Sequence, residues 1–510
     1  KNTDQTPAED VAKGAIDNSS PGNTAGELKQ PADANTLGNR ETAVDANDET
    51  DAAMPPLPDQ GDSTDTDIGS DGGTTAGNET DNLVADNTGD AAAGNASDEG
   101  KTASDLPPNA NTGMGDGVDP NLPPDVTPPV ASPQVVGQLT STDSVLLRFG
   151  GEPPSLSRLA QLDNVSTGEP LISLPDFRNV ISLGEGVTVQ AVGETHFEFE
   201  TTQSETELPR IHLKQGRLLI GTVGAVGTRI RLRTGELEYA LTFLEPGSTL
   251  AVDARKIRSD GALPHESACP VELVVDATSG QTIWESFARG GRWELATGTR
   301  WAQPANATDA IVINTVPPEW ATSLSLTPLA AQAAGRVDEY LRGELATRIR
   351  QALLEQLTSN RIEVRALATR SLAAADDFGA ILAALNDTEF RAFWNQQIPS
   401  LRQAVVRNPQ SAALVNIALE SQRREYAPEL YRMLWGYTAT ELQDGGHAAK
   451  LVEYLSHDDL DFRVLAAWNL REITGITNIN YRPEAVRSAR MRGAQQWKLK
   501  LEAGEIVPGG

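Results

Sequence analysis

The chain has 510 residues, with 71 Asp+Glu against 42 Lys+Arg and a formal charge of −29 at pH 7. That balance argues against a simple nucleic-acid binder, because phosphate backbones are held by lysine and arginine. Cys269 is the single cysteine, which excludes an intrachain disulfide and a cysteine-rich metal site of the zinc-finger kind.

The acidity belongs mostly to the first quarter of the chain. Residues 1–135 contain no Phe, Trp or Tyr and carry 26 Asp+Glu against 5 Lys+Arg. A mixture of Asp, Asn, Thr, Gly, Ala and Pro cannot bury enough apolar surface to offset an ordering entropy of roughly 1 to 2 kcal/mol per residue, which predicts a disordered acidic leader. Within it, DTDIGSDGG (Asp65–Gly73) opens like a calcium loop. Gly69 and Ala76 stand where such a loop needs a side-chain ligand and a bidentate Glu, so no metal is expected. LPPDVTPPVASP (Leu122–Pro133) favours polyproline II and stiffens the end of the leader. No run of about 18 apolar residues occurs, and no charged-then-apolar signal segment stands at Lys1. The expectation is a mature or trimmed chain, with a signal peptide, membrane helix or further domain upstream.

From Val145 onward apolar and polar residues alternate, the period of a strand with one buried face. In THFEFE, Phe197 and Phe199 alternate with His196, Glu198 and Glu200. RIHLKQGRLLIGT (Arg210–Thr222), TRIRLRTGELEYALTF (Thr228–Phe243) and STLAVDA (Ser248–Ala254) follow with glycine-containing turns, predicting an all-β sandwich or solenoid-like domain over 136–318. Arg229, Arg231 and Arg233 share one strand face, as an anionic-ligand stripe or as partners for cross-strand ion pairs. With Thr234 and Gly235 as a two-residue hairpin loop, Arg233 faces Glu236 and Arg231 faces Glu238, and this pairing is the preferred reading. Ile230, Leu232, Leu237, Tyr239 and Leu241 then form the core face.

LKQGRLLIGTVGAVGTRIRLRTG and ARGGRWELATGTRW both run a glycine, an apolar strand and a further glycine. Gly216 with Arg217 and Gly291 with Arg292 take similar places, and Pro246 and Gly247 turn the chain after the first copy's hairpin. The second copy has no such hairpin. The pattern resembles the extracytoplasmic domain of ferric-citrate-type sigma regulators, the FecR-like family. The resemblance implies a sensor or partner-binding module with no catalytic residue among the matching positions.

Trp284, Trp293, Trp301 and Trp320 crowd the end of this region. Aromatic rows form sugar platforms in extracellular β proteins, so the first three are candidate glycan contacts. Their spacing puts each on a different strand or turn, and core filling is the preferred reading. In PHESACP (Pro264–Pro270), Cys269 stands where a hydrolytic zinc motif needs its second His, and a Cys nucleophile needs a His from elsewhere. No site is read from His265, Glu266 and Cys269.

After Trp320 the period becomes 3.6 and Ala, Leu, Glu and Arg dominate, predicting an all-α domain over 319–505. LLEQLTSNRIEVRALATRSL (Leu353–Leu372) aligns without gaps with LVEYLSHDDLDFRVLAAWNL (Leu451–Leu470) at seven identities. Each reads as helix, polar turn and helix, and ILAALNDTEFRAFW (Ile381–Trp394) is a shorter version. The pattern is similar to HEAT-type repeats, whose second helix opens with an acid, an apolar residue and an arginine, as in Glu363-Val364-Arg365 and Asp461-Phe462-Arg463. That resemblance implies stacked helical hairpins that bind other proteins. Phe462, Ala466, Leu470 and Ile473 form one buried stripe, and Gly475 is placed to end the helix. His457, Asp458 and Asp459 have no second His at a ligand spacing, and Ser456, Asp458 or Asp459 is expected to cap the helix that follows. YRPEAVRSARMRGAQQWKLKL (Tyr481–Leu501) opens with Pro483 at a helix start. Its Arg487, Arg490, Arg492, Lys498 and Lys500 make a solvated face, or one that meets an anionic surface or the acidic leader.

No nucleophile elbow, Walker loop, dinucleotide glycine motif or H-E-x-x-H occurs, so neither an enzyme nor a cofactor is expected. The leading reading is a bacterial cell-envelope protein, a FecR-like sensor or protein-binding module with a helical-repeat interaction domain. It is extracytoplasmic and reaches the membrane only through an upstream anchor. The alternative is a secreted structural or carbohydrate-binding protein. Arg229, Arg231, Arg233, Trp284, Trp293, Trp301, Arg487, Arg490 and Arg492 are the candidate ligand or partner contacts.

Overall fold

The computed structural model describes residues 133–507, apart from 151–154, 202–209, 225, 262, 306, 324–325, 346–347 and 444–445. The acidic leader up to residue 132, with DTDIGSDGG and nearly all of LPPDVTPPVASP, lies outside the described residues. Among the described residues sixteen strands come first: β1 (Val135–Leu139), β2 (Leu146–Gly150), β3 (Ser155–Arg158), β4 (Asn164–Ser166), β5 (Leu171–Ser173), β6 (Arg178–Leu183), β7 (Val187–Glu200) and β8 (Arg210–Thr222). They continue as β9 (Arg229–Thr234), β10 (Leu237–Phe243), β11 (Thr249–Lys256), β12 (Val271–Ser279), β13 (Gln281–Ser286), β14 (Gly291–Ala296), β15 (Thr299–Gln303) and β16 (Ile311–Asn314). The fold class is the expected one, β followed by α.

All sixteen strands join one branched sheet, whose main path runs β14-β13-β10-β9-β8-β11-β12-β15-β16. The long strands β7 and β8 are its hub. β7 pairs with β5, β6 and β8, while β8 runs parallel to β9 at Arg210–His212 and antiparallel to β11 from Gly216 to Gly221. Between Val192 and Phe197 the β7–β8 register shifts, forming a bulge around Gly193, Glu194 and Thr195. Gly216 lies across from it at φ +109°. A Cβ there would sit 2.6 Å from the Glu194 carbonyl oxygen and from the Thr195 Cα, so the bulge needs glycine on its partner strand. The bulge also overturns the simple alternation: His196 is buried with Phe197 rather than turned outward with Glu198 and Glu200.

The β9–β10 hairpin differs from expectation by one residue. Thr234 pairs with Leu237, so the loop is Gly235–Glu236, with Gly235 at φ +54° in the first loop position, where tight hairpins favour glycine. Arg233 therefore faces Glu238, and Arg231 faces Ala240. Ile230, Leu232, Tyr239 and Leu241 are fully buried as expected, and Leu237 is partly buried against them.

Twelve α-helices follow among the described residues: α1 (Glu319–Thr322), α2 (Pro328–Leu341), α3 (Ile349–Gln356), α4 (Ile362–Ala374), α5 (Gly379–Leu385), α6 (Trp394–Arg407), α7 (Pro409–Arg423), α8 (Ala427–Trp435), α9 (Ala439–Gln443), α10 (His447–Tyr454), α11 (Leu460–Thr474) and α12 (Arg487–Glu502). The two aligned segments are the helix–turn–helix pairs α3–α4 and α10–α11. The shorter version is α5, a 3-10 turn at Thr388–Ala392 and the start of α6. Phe462, Ala466, Leu470 and Ile473 are buried, and Gly475 ends α11 at φ +67°, its amide donating to the Arg471 carbonyl.

Two helix starts depart from expectation. Asp459 holds the cap position of α11, but its carboxylate turns away to Arg423 Nη2 at 2.9 Å and accepts nothing from the helix. His457 stacks on Phe462 at 4.0 Å between ring centroids. α12 begins at Arg487 rather than near Pro483, because Pro483 is buried in a turn where its carbonyl accepts from Arg463 Nε at 2.9 Å.

The described residues belong to one compact unit. Val145, Leu147, Leu174 and Phe177 from the strand region share an apolar cluster with Val337, Leu341, Leu353 and Leu367 from the helices. Burying such side chains stabilises by about 1.5 to 3 kcal/mol each, so the seam is held by real core packing.

Candidate functional site

Ion pairs, buried or half-buried, cross the seam between sheet and helices. Arg158 pairs with Asp338, Arg370 with Asp176, and Arg258 with Glu441, the Arg258 guanidinium lying 3.9 Å from the Trp435 ring centroid. At the β7 bulge, Arg407 from the last turn of α6 reaches Glu194 Oε1 at 2.9 Å through Nη2 and Asp376 Oδ1 at 2.9 Å through Nη1. The same guanidinium donates to the carbonyls of Ala373 and Ala374, the last residues of α4, satisfying acceptors that a helix end leaves open. His196 Nε2 is 3.8 Å from Glu194 Oε1 and has no hydrogen-bond partner among the described residues.

The electrostatics follow from burial. Burial lowers the His196 pKa and the neighbouring Arg407 lowers it further, so the imidazole is neutral at pH 7. Burial alone would raise the Glu194 carboxyl, but His196 and Arg407 outweigh it and hold it below its ordinary value. Lys256, at the end of β11, donates to the Arg407 carbonyl and pairs with no carboxylate among the described residues. Burial lowers its pKa.

Two hollows open along this seam. One, of about 670 Å³, is walled by Phe149, Leu156, Leu171, Phe197 and Leu414 and carries His196 and Lys256. The other, of about 430 Å³, is bordered by Glu194, Arg217, Asp253, Arg258, Arg402 and Trp435. Lys256 lines both. Concave sites of this size with a few placed polar groups are where small ligands bind.

The candidate residues read from sequence lie elsewhere. Arg233 Nη2 bonds Glu200 Oε1 at 2.6 Å, Arg231 Nη1 lies 3.7 Å from Glu238, and Arg229 Nη2 bonds Glu285 at 2.9 Å. All three arginines therefore meet carboxylates on other strands: Arg231 meets Glu238 of β10 as expected, while Arg233 turns to Glu200 of β7 instead of Glu236, and Arg229 reaches β13. Trp284 and Trp301 are fully buried, stacked with Tyr239 at 4.9 Å and edge-on to it at 5.6 Å, and partly buried Trp293 packs 5.4 Å from Trp301. These side chains fill the sheet's core, so Trp284 and Trp301 are closed to a sugar. Arg487 and Arg492 are exposed on α12, and half-buried Arg490 donates to the Ala485 carbonyl. Cys269 is half-buried; burial raises its pKa, keeping it a thiol, and His265 is exposed.

Glu198, Glu200 and His212 bring three ligand atoms within 4.8 Å of one another. Lys214 Nζ already bonds Glu198 at 2.7 Å, and Arg233 holds Glu200, so a cation would have to displace two others. The His212 hydrogen bond, against some burial, and Lys214 hold Glu198 at a pKa of about 2. Glu194, His196, Lys256 and Arg407 escaped the sequence reading. The signal available was Gly193 inside an alternating strand, which marks a bulge.

No family model and no curated protein matches the chain. Two solved structures of a candidate anti-sigma factor from Parabacteroides distasonis are similar over 29% of this chain and 60% of theirs, at 11% and 10% identity and TM-scores of 0.22 and 0.21. The match thus spans less than two-thirds of those chains.

Proposed function

We propose that the protein is a non-enzymatic, extracytoplasmic component of the bacterial cell envelope, a FecR-like sensor or protein-binding module whose helical part is its interaction domain. The observation that carries this reading is the seam. Sheet and helices share an apolar cluster and buried ion pairs around a hollow, so an occupant that favours one arrangement of the seam acts on both parts at once. The glycine-and-strand pattern at Gly216-Arg217 and the repeated helical hairpins support the same reading. Arg487 and Arg492, exposed on α12, are the surface we assign to a protein partner.

The test is made in cells that carry the native gene. A photo-crosslinking residue placed at Arg487 or Arg492 is expected to capture one protein, with the sensor in the envelope fraction. A cytosolic location with no adduct from either position refutes the proposal.

A further inference from the structure

The hollow of about 670 Å³ joins strands β2, β3, β5, β7, β8 and β11 to helices α3, α6 and α7, and its make-up is asymmetric. Phe149, Leu156, Leu171, Phe197 and Leu414 supply apolar wall. Four cationic side chains, Lys214, Lys256, Arg350 and Arg407, border it against one carboxylate, Asp376. Most of these cations are already engaged. Lys214 bonds Glu198, Arg407 bonds Glu194 and Asp376, and Arg350 lies 3.9 Å from Asp377. Lys256 differs, since its ammonium is half-buried and its hydrogen bond goes to a backbone carbonyl.

A second polar group in the same wall is also incomplete. His196 is nine-tenths buried, and its Nε2 has no hydrogen-bond partner among the described residues. Arg407 ties the two together, because its carbonyl accepts from Lys256 while its guanidinium holds Glu194, 3.8 Å from His196. A buried donor without a counter-charge costs stability that a matching anion would restore. Apolar walls likewise gain when an apolar body replaces water.

From this arrangement we infer that the hollow is a binding site for a small amphiphilic acid, a single carboxylate on an apolar body, with Lys256 and His196 receiving the carboxylate. The carboxylate accepts from the Lys256 ammonium and from the His196 Nε2–H tautomer, and the body lies against Phe149, Leu171 and Leu414. The inference deepens the sensor reading by naming its class of signal.

The full chain is titrated with decanoate, 2-naphthoate and decanol by isothermal calorimetry, the two acids separating an acyl from an aromatic source. One of the acids is expected to bind saturably, and decanol more weakly. Lys256→Met is expected to weaken the acid by about tenfold or more, the loss that follows from removing a charged hydrogen-bond donor, and to leave decanol unchanged. If that variant does not fold, Leu414→Trp decides, because it fills the hollow while keeping every charge and should abolish binding of the acid. The inference is overturned if neither acid binds at about 1 mM, if decanol binds as well as the acids, or if both variants keep the wild-type affinity. A protein adduct at α12 with no acid bound would overturn this inference and leave the sensor reading standing.

Discussion

Replacing Arg407 with Met tests whether the seam is held by the ion pair at the β7 bulge. The Arg407 and Glu194 side chains are 4% and 7% exposed, so the variant leaves a buried carboxylate without its cation and frees the α4 carbonyls of Ala373 and Ala374. Breaking a buried pair by removing one partner costs about 3–5 kcal/mol, most of it the stranded charge. Adding Glu194→Gln removes that charge, and the double variant should recover about 2 kcal/mol of the loss, a coupling typical of residues in one network. Urea unfolding followed by tryptophan fluorescence and by helical ellipticity measures both, and coincident transitions would show sheet and helices unfolding together. The deficit of Arg407→Met should also shrink in acid, because the stranded Glu194 then takes a proton that burial favours. A loss below about 1 kcal/mol, or a double variant less stable than the single one, refutes the reasoning.

Gly216→Ala should destabilise the chain by about 2 kcal/mol or more, since its Cβ meets the Glu194 carbonyl and the backbone sits at φ +109°; a wild-type melting temperature would contradict the bulge geometry. Trp301→Ala, in the centre of the aromatic cluster, should cost about 3–5 kcal/mol in denaturant titration. A loss within about 0.5 kcal/mol would place the ring at the surface after all. Stability should fall in acid. His196 is held neutral by burial while an unfolded imidazole takes a proton below about pH 6.5, so the unfolded state binds more protons there. Glu198, held at about 2, adds stability present above its ordinary carboxyl range and lost as the pH falls through its folded value. A melting temperature that stays flat or rises from about pH 6.5 to pH 4 would refute the His196 assignment, and one that stays flat as the pH falls on from about 4.5 to about 2 would refute that of Glu198.

What the sequence made legible is what depends on neighbours. Alternation located β8 with its observed ends, and the hydrophobic stripe of α11 with Gly475 beyond it located that helix and its stop. Errors arose where one residue shifts a local pattern. Gly235 rather than Thr234 opens the hairpin because the loop's first position favours a glycine backbone, and that shifts each arginine of β9 two positions along β10, although Arg231 still reaches Glu238 diagonally. The β7 bulge inserts residues into a strand whose period otherwise reads cleanly, so alternation puts His196 on the wrong face although it places Phe197 and Phe199 correctly in the core. The site itself lay further out of reach. Arg407 reads as an ordinary basic residue in the last turn of an amphipathic helix, a place where arginine is favoured for the helix dipole alone. Its partner Glu194 is 213 residues away, inside a strand whose other glutamates face cations on the sheet. Only the packing of α6 against the bulge distinguishes this arginine from Arg423, which ends the next helix and holds Asp459 and Asp461 within the helical part. A seam between two parts of a chain is encoded in pairs of positions, each unremarkable alone. That is why the folds on either side could be read from the residues in order, and the hollow between them could not.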